Sequence, residues 1–253
     1  MCITKSYRIW TAPRTGYTLL AKMLEMTGKA GRPGEHINLY EEGSFQVKYG
    51  VAAYDELKHK IWDAGSDGGE IFACKIDGHA HSIQLVIKEL SELKGVKEQT
   101  IERQFWHEFF PNCKDIYLTR RNKVRQAVSW WKAIQDGTWH LRIEEQRSQT
   151  PDFYDGKYIF DAIHHLFKET CLREASIQDY FEKLKISPLT IVYEDMIKDV
   201  GHTIKEILIF LEVETAGLMI PDLPFKRTSD AVSEEWVSRF RDELQKGWKT
   251  VAW

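Results

Sequence analysis

Hydrophobic positions along the chain follow two patterns, short apolar runs and longer stretches with helical spacing. The short runs are rich in β-branched and aromatic residues, which is typical of buried strands. They cover residues 7–11, 71–76, 116–119 and 189–193. Apolar residues three and four positions apart predict helices at residues 18–26, 51–62, 83–93, 100–110, 124–134, 160–184 and 197–211.

Strands that alternate with helices predict an α/β fold with a central four- to five-stranded parallel sheet flanked by helices. Two glycine-rich stretches, residues 31–34 and 65–69, are too short to be interdomain linkers. No segment of the chain repeats another. We therefore expect residues 1–253 to form a single domain, with an irregular excursion at about residues 138–158.

Acidic and basic residues nearly balance, with a formal net charge of -3. The chain as a whole is thus no polycation built for nucleic acid, and an anion site needs a local cluster of basic groups. The apolar runs are too short for a membrane span, and the first residues lack the pattern of a signal peptide. Four scattered cysteines without metal-ligand spacing predict reduced thiols and a cytoplasmic protein: Cys2, Cys74, Cys113 and Cys171.

The first predicted strand runs into a compact turn, residues 12–18, at the start of a helix. The first backbone amides of a helix lack partners and lie at the positive end of its dipole, which suits an anion. Gly16 lets the backbone come close to such a ligand, and Arg14 can add a forked cation. Thr15 and Thr18 can add hydroxyl donors. The alternative is an ordinary strand-turn-helix junction in which Thr15 caps the helix.

The turn lacks the Gly-Lys pair of ATP-binding P-loops. Without that lysine, and without a clear acidic magnesium ligand on a second strand, kinase chemistry loses its main parts. A nucleotide or small-molecule kinase and a non-catalytic nucleotide-binding module are two alternative functions for a turn of this kind.

Basic residues also follow the third predicted strand, with four of them between residues 120 and 125. They lie at the carboxyl end of a strand, where open α/β sheets bind ligands. We expect Arg120, which leaves the strand directly, to face a ligand, and Lys123 and Arg125 to lie on a solvated helix surface. Two candidate anion sites at two strand ends predict a ligand with two separated phosphate-like groups.

These two motifs resemble those of sulfotransferases that use 3′-phosphoadenosine 5′-phosphosulfate (PAPS). The turn PRTGYT resembles their 5′-phosphosulfate loop, and the segment from Arg120 to Ser129 resembles their 3′-phosphate motif. Within that superfamily the chain is most similar to the bacterial trehalose 2-sulfotransferase family. Four motifs match it in the same order: the arginine-containing turn, GRPGE at residues 31–35, QAVSWW at residues 126–131 and RTSDAVSEEW at residues 227–236.

The resemblance implies a P-loop-type domain that moves a sulfuryl group from PAPS to a hydroxyl of a small-molecule acceptor, and releases adenosine 3′,5′-bisphosphate. Sugars and glycolipid head groups are candidate acceptors. A homodimer and a reaction without metal are also implied. The family's general base matches Glu35, with Arg14 as electrostatic stabiliser. Nucleotide-binding residues carried over from the motifs and from a C-terminal segment at about 225–245 are Arg14, Thr15, Gly16, Tyr17, Thr18, Arg120, Ser129 and Arg227.

Three other features bear on this site. Lys75 ends the second predicted strand, and because a lysine in an apolar run is costly to bury without an anion, we expect it to act beside the sulfuryl group. His79 and His81 follow shortly and are alternative bases. Tyr17 replaces a small serine of the family loop, and we expect it to reshape the acceptor side.

Tryptophans are candidates for the wall of a sugar-binding cleft. Trp130, Trp131 and Trp139 follow the 3′-phosphate motif closely in sequence. Since Trp130 and Trp131 are adjacent, they point to different faces of a helix. We expect at least one of them to lie in the core.

Overall fold

The computed structural model describes residues 3–40, 43–146 and 149–252. Its strands are β1 Lys5–Thr11, β2 Ile71–Asp77, β3 Cys113–Thr119 and β4 Leu189–Val192. Its α-helices are α1 Tyr17–Met26, α2 Phe45–Tyr49, α3 Tyr54–Ser66, α4 Ala80–Lys94, α5 Glu98–Glu108, α6 Lys123–Asp136, α7 Phe160–Leu184, α8 Tyr193–Met196, α9 Val200–Phe210 and α10 Ala231–Leu244. A 3₁₀ helix covers Pro151–Tyr154.

The four strands form one parallel sheet in the order β2-β1-β3-β4. The predicted α/β fold with a parallel sheet flanked by helices is therefore confirmed. Thr11, the last residue of β1, pairs with Asp77 of β2 on one side and with Leu118 of β3 on the other. The turn after β1 thus lies between the carboxyl ends of its two neighbours.

Two apolar cores cover the two faces of the sheet. Successive side chains of a strand point to opposite faces, and β1 follows this rule. Its Tyr7 and Ile9 belong to the core formed with α1 and α9, whereas Trp10 packs with α5 and α7. All three side chains are fully buried, so β1 is fixed from both sides.

A third apolar cluster joins α6, α7 and α10. Helix α10 is not among the predicted helices. It begins at a capping box in which Asp230 accepts a hydrogen bond from the backbone N–H of Ser233. Trp236 of this helix is buried, 5.9 Å from the ring of Tyr154. This packing brings the residues that precede α10 alongside α6.

Two element boundaries differ from the predictions at aspartates. Strand β3 begins at Cys113 rather than at residue 116, because the charge of Asp115 is paired with Arg8 inside the protein. The predicted helix at 197–211 begins only at Val200, as α9, since Asp199 caps it by accepting from the N–H of His202. The short α8 precedes it and begins at Tyr193, the last residue of the fourth predicted strand.

The cysteines that the structure describes, Cys74, Cys113 and Cys171, are free thiols, as expected. Cys2 lies outside the described residues. No helix in the described ranges is long and apolar enough to cross a membrane.

Candidate active site

A cleft of about 900 Å³ opens at the sheet edge where β1, β2 and β3 end. This volume is in the range of small-molecule sites in proteins. The turn after β1, one face of α6 and the segment that precedes α10 form much of its wall. Apart from Thr15, the site residues expected from the sequence line it: Arg14, Gly16, Tyr17, Thr18, Glu35, Lys75, Arg120, Ser129 and Arg227.

The turn after β1 leaves the start of α1 open to the cleft. Gly16 is the N-cap, with a left-handed backbone at φ 89 and no side-chain hydrogen bond at this cap. A Cβ at Gly16 would lie 2.5 Å from the ring of Tyr193, so only glycine fits. The Thr15 hydroxyl is buried, 2.5 Å from Thr11 Oγ1, and donates to Ala12 at 3.1 Å. Thr15 therefore stabilises the turn from inside and does not cap the helix.

Arg14 connects the two sequence motifs. Its Nε donates to Ser129 Oγ at 3.1 Å, and its Nη1 donates to the carbonyl of Trp139. The backbone of Arg14 is left-handed, with φ 64, which costs a non-glycine residue on the order of 1 kcal/mol. The fold keeps this strained conformation at the point where the turn meets α6.

Arg120 forms a positively charged corner of the cleft. Its side chain is 13% exposed, and its guanidinium lies 4.7 Å from the ring centre of Tyr193. Burial lowers the pKa of Arg120, and the charges of Arg125 and Arg227 lower it further, against the opposing influence of Tyr193 and Glu194. Its Nε has no hydrogen-bond partner among the described residues. Glu194 Oε1 lies 3.8 Å from this Nε, beyond hydrogen-bond distance. The corner therefore has an unused donor beside several cations, which suits an anion.

Lys123 and Arg125 differ from the expected solvated surface. Lys123 pairs with Glu174 at 2.6 Å and bonds to Thr119 at 3.0 Å, which fixes the end of β3. Arg125 faces the cleft and forms a bidentate ion pair with Glu234 of α10. The basic cluster is thus partly structural.

Glu35 and Lys75 meet at the other end of the cleft. Lys75 Nζ lies 2.5 Å from Glu35 Oε1, and Asn38 Nδ2 donates to Oε2 at 2.8 Å. The backbone N–H of Lys75 donates to Gly34 at 2.8 Å, which holds the loop of Glu35 against β2. Burial alone would raise the pKa of Glu35, but the Lys75 charge and the hydrogen bonds from Lys75 and Asn38 hold it below its usual value. The carboxylate is therefore ionised at neutral pH.

Tyr17 lies between this pair and the turn. Lys75 Nζ is 5.0 Å from the centre of the Tyr17 ring. Neither alternative base is among the residues that line the cleft. His79 and His81 begin α4 instead, with their rings 6.2 Å apart. Among the three candidate bases, only Glu35 reaches the cleft wall.

Trp130 and Trp131 both pack against the cluster of α6, α7 and α10, but neither is a fully buried core residue. Trp130 and Trp139 line the cleft, whereas Trp131 donates to the carbonyl of Lys157 at 2.9 Å. Sequence reasoning did not single out Lys132, whose side chain is 4% exposed and pairs with Asp230 at 2.5 Å. Lys132 is three residues after Ser129, so the two lie on the same face of α6. This spacing is the sequence feature that could have indicated Lys132 as a cleft residue.

Two segments lie against each other at the rim of the cleft. In the excursion, Ile143 donates from its backbone to Pro224 at 3.2 Å, and Lys226 donates back to Leu141 at 2.8 Å. The rings of His140 and Phe225, which line the cleft, are 5.4 Å apart. The segment that carries Arg227 is therefore tied down at both ends, here and at the Lys132–Asp230 pair. Residues 147–148 of the excursion lie outside the described residues.

Comparison with known proteins points to one family. The family model described as Stf0 sulphotransferase matches residues 6–243. The trehalose 2-sulfotransferase of Mycolicibacterium smegmatis (strain ATCC 700084 / mc(2)155) is 25% identical over 131 residues, which are 52% of this chain and 46% of that protein. The trehalose 2-sulfotransferase of Mycobacterium tuberculosis (strain ATCC 35801 / TMC 107 / Erdman) is 25% identical over 128 residues, 51% of this chain and 45% of that protein.

The matched region thus spans about half the length of these curated relatives. Among solved structures, a sulfotransferase from Alicyclobacillus acidocaldarius aligns over 96% of this chain and 94% of its own, with a TM-score of 0.46 and 13% identity.

Proposed function

Because the chain belongs to the Stf0 sulphotransferase family, we propose that it transfers a sulfuryl group from PAPS to a hydroxyl of a small molecule, with sugars and glycolipid head groups as the candidate acceptors. One observation supports this most directly. The unused Nε of Arg120 and the open start of α1 lie on the same cleft as the ionised Glu35. Two anion-binding corners and a base on one cleft match a donor with an anionic group at each end and an acceptor with a hydroxyl.

The residues of the cleft fit the two anionic ends of such a donor. The backbone amides of Gly16, Tyr17 and Thr18 begin α1, and would hold the 5′ end at the positive end of the helix dipole. Arg120, Ser129 and Arg227 would hold the 3′-phosphate. Apolar residues that line the cleft together with Tyr193 suit a purine base: Leu19, Ile197, Val200 and Leu223.

The donor supplies an activated sulfuryl group, and the protein supplies proton transfer and a fixed positive field. In this proposal Glu35, ionised at neutral pH, accepts the proton of the acceptor hydroxyl. Lys75 orients Glu35 through their ion pair and adds positive charge at the same place. Arg14 adds positive charge between the two anion corners, where negative charge grows during transfer.

The test of the donor is calorimetric titration with adenosine 3′,5′-bisphosphate, AMP and ADP, in the absence of magnesium. If Arg120 and Ser129 hold a 3′-phosphate, its removal should cost roughly 1.5–3 kcal/mol, about a tenfold to hundredfold loss of affinity. Arg120→Ala should remove the preference for the bisphosphate. The control is Arg121→Ala, because Arg121 is exposed and pairs with Asp195 outside the cleft.

Equal or tighter binding of ADP would contradict PAPS as the donor. Transfer itself is measured by mass spectrometry of sulfated products after incubation with PAPS and a panel of hydroxyl compounds. Tight bisphosphate binding without any sulfated product would favour the non-catalytic nucleotide-binding module.

A further inference from the structure

A second group of polar side chains lies on the cleft wall beyond the Glu35–Lys75 pair. Asp77 ends β2, two residues after Lys75, and lines the cleft. Both of its carboxylate oxygens accept from Arg173 Nη1, at 3.1 and 3.0 Å. The Nε of Arg173 donates to Glu169, one turn earlier on α7, at 2.9 Å. The carboxylate of Asp77 is therefore fixed in orientation by a neighbouring helix.

A glycine permits this close approach. Gly78 follows β2 directly, and a Cβ there would lie 2.5 Å from the carbonyl oxygen of Arg173 and 2.8 Å from Ile177. Because Gly78 has no side chain, α7 can lie against the end of β2. The contact between Asp77 and Arg173 depends on this packing.

The same guanidinium supports an aromatic ring of the cleft. The guanidinium carbon of Arg173 lies 5.4 Å from the centre of the Trp130 ring, and Trp130 of α6 lines the cleft. The side chains of Arg173 and Asp77 are each only 14% exposed. One buried arginine thus sets the relative positions of a carboxylate and an indole on the acceptor side.

Further polar groups support Asp77 from outside the cleft lining. The backbone N–H of His79 donates to Asp77 at 2.6 Å, and His79 Nε2 lies 4.0 Å from Glu169. The ring of Tyr40 packs edge-on against His79 at 5.6 Å. Of this group, Asp77 is the member that lines the cleft, together with the aromatic surface of Trp130.

The charged groups beside Asp77 include three carboxylates and two cations. Asp77 and Glu169 share the single guanidinium of Arg173, and Glu35 is paired with Lys75. The donor side has more positive charge, because Arg120, Arg125 and Arg227 lie there against Glu194 and Glu234. An anionic acceptor would find no excess of positive charge beside Asp77, and a purely apolar acceptor would offer no donor to the remaining lone pairs of the Asp77 and Glu35 carboxylates. A neutral molecule with several hydroxyls and a C–H face satisfies both conditions.

We propose that Asp77 and Trp130 form the acceptor subsite, that Arg173 positions both, and that this subsite selects a neutral polyhydroxy ring such as a pyranose. Asp77 accepts hydrogen bonds from ring hydroxyls, and the indole of Trp130 packs on the C–H face of the ring. This inference rests on the proposed sulfuryl transfer and adds the acceptor class and the residues that select it.

The test compares acceptors and variants with PAPS at saturation. The acceptors are glucose, galactose, mannose, trehalose and myo-inositol as neutral polyols, 4-nitrophenol as an apolar hydroxyl, and glucose 6-phosphate as an anion. We expect at least one neutral polyol to be the preferred acceptor. Trp130→Leu should raise the KM for it about tenfold, whereas Trp130→Phe, which keeps a flat ring, should restore most of the loss. Trp248→Leu is the matched control, because Trp248 is half exposed and does not line the cleft.

Asp77→Asn and Arg173→Met separate binding from positioning. Asp77→Asn should raise the acceptor KM and change the order of preference among the neutral sugars. Arg173→Met should raise KM more than it lowers kcat, and Arg173→Lys, which keeps the charge beside Asp77, should restore part of the affinity. A purely structural role would lower kcat and thermal stability together, with no change in preference.

The outcomes separate this inference from the proposed function. Preferred transfer to 4-nitrophenol or to glucose 6-phosphate, transfer to no neutral polyol, or an acceptor KM unchanged by Trp130→Leu and Asp77→Asn would overturn the subsite. Each of these results leaves the donor titration as it was. If the wild-type protein bound the bisphosphate no more tightly than AMP or ADP, the proposed function would be overturned instead.

Discussion

Glu35 has a hydrogen-bond partner on each carboxylate oxygen, Lys75 on one and Asn38 on the other. These bonds fix its orientation as well as its charge. Glu35→Gln keeps the size and one acceptor oxygen but removes the basic group. We expect kcat to fall about 10²- to 10⁴-fold, with the bisphosphate affinity within about twofold of wild type. Steady-state kinetics and calorimetry measure both. A Glu35→Gln enzyme with nearly full kcat would reassign the base.

The pH dependence follows from the lowered pKa of Glu35. Burial alone would raise this pKa, and the charge of Lys75 is the largest influence that lowers it. The activity of the wild type should stay level from neutral pH into the mildly acidic range and fall only as Glu35 is protonated, below the usual pKa of glutamate. Lys75→Met removes the charge that counteracts the effect of burial, so the pKa of Glu35 should rise. The acidic limb of the profile should therefore move to higher pH.

Profiles of kcat/KM against pH for the two proteins test this prediction, whatever the absolute rate of the variant. Coincident acidic limbs would contradict it. Stability follows the same sign, because a lowered folded-state pKa contributes stability above the unfolded pKa that is lost as the pH falls.

Single residues were predictable where they differ from their surroundings. Lys75 interrupts an apolar strand, and Arg120 leaves one directly. Thr15 and Thr18 look alike in the sequence, but the left-handed turn buries Thr15 and leaves Thr18 exposed. Contacts between distant positions leave no local pattern. Asp77 and Arg173 are 96 residues apart, and only the packing of α7 on β2 brings them together.

At the scale of elements, two ion pairs join α6 to α10. They are Arg125–Glu234, which is partly exposed, and Lys132–Asp230, in which the lysine is almost fully buried. An isolated β-bridge joins Phe225 to Arg142, and Asp230 is the N-cap of α10. The segment between Phe225 and Asp230 is thereby held over the cleft. The position of Arg227 depends on this attachment rather than on a helix or strand of its own.

Lys132→Met should therefore loosen the segment that carries Arg227. We expect about a fivefold to tenfold weaker affinity for the bisphosphate, less than the loss of a whole charge-assisted contact because Arg227 itself is kept, with little change for AMP. Calorimetry with both nucleotides measures the difference. Lys183→Met is the matched control, since Lys183 forms an exposed ion pair with Glu102 away from the cleft. Equal losses for the two nucleotides would indicate a general disturbance of the cleft instead.

Helix α10 shows how an element escapes prediction. Val232, Trp236, Phe240 and Leu244 repeat every four positions, which is a helical pattern. The motif at residues 227–236 overlaps the start of this helix, and its polar residues separate the apolar positions. The bridge between Arg142 and Phe225 had no such signal, since an isolated bridge depends on tertiary contacts alone.

At the scale of the whole molecule, one buried ion pair fastens the centre of the sheet. Arg8 of β1 forms two hydrogen bonds with Asp115 of β3, at 2.7 and 2.8 Å, and both side chains are less than a tenth exposed. Trp10 donates to the same carboxylate at 2.6 Å. The rings of Trp106 and Phe110 enclose the guanidinium at 4.8 and 5.2 Å.

Asp115→Asn should leave the Arg8 charge buried without an anion and lower the free energy of unfolding by about 3–5 kcal/mol. The double variant Arg8→Met with Asp115→Leu removes both charges, and should recover much of that loss. Urea denaturation of the three proteins measures the differences. A single variant that loses under about 1 kcal/mol, or a double variant no more stable than the single one, would contradict this account.

The fold class was predictable because alternating strands and helices leave few architectures. The strand order was not, since nothing in the apolar runs shows that β1 lies between β2 and β3. That residues 1–253 form a single domain stays a prediction, as do the roles of the site residues. The sequence motifs nevertheless located both ends of the cleft, because anion binding concentrates at the carboxyl ends of strands.

The central position of β1 divides the protein's tasks between two flanks. The charged groups proposed to handle the acceptor, Glu35, Lys75 and Asp77, lie on the β2 flank. Those proposed for the 3′-phosphate, Arg120 and Ser129, lie on the β3 flank, where Trp130 is the one acceptor residue. Substitutions far apart that share no partners usually have additive effects. An engineer could therefore exchange the β2 flank to obtain sulfation of a new compound, while the machinery that recognises the nucleotide is kept unchanged.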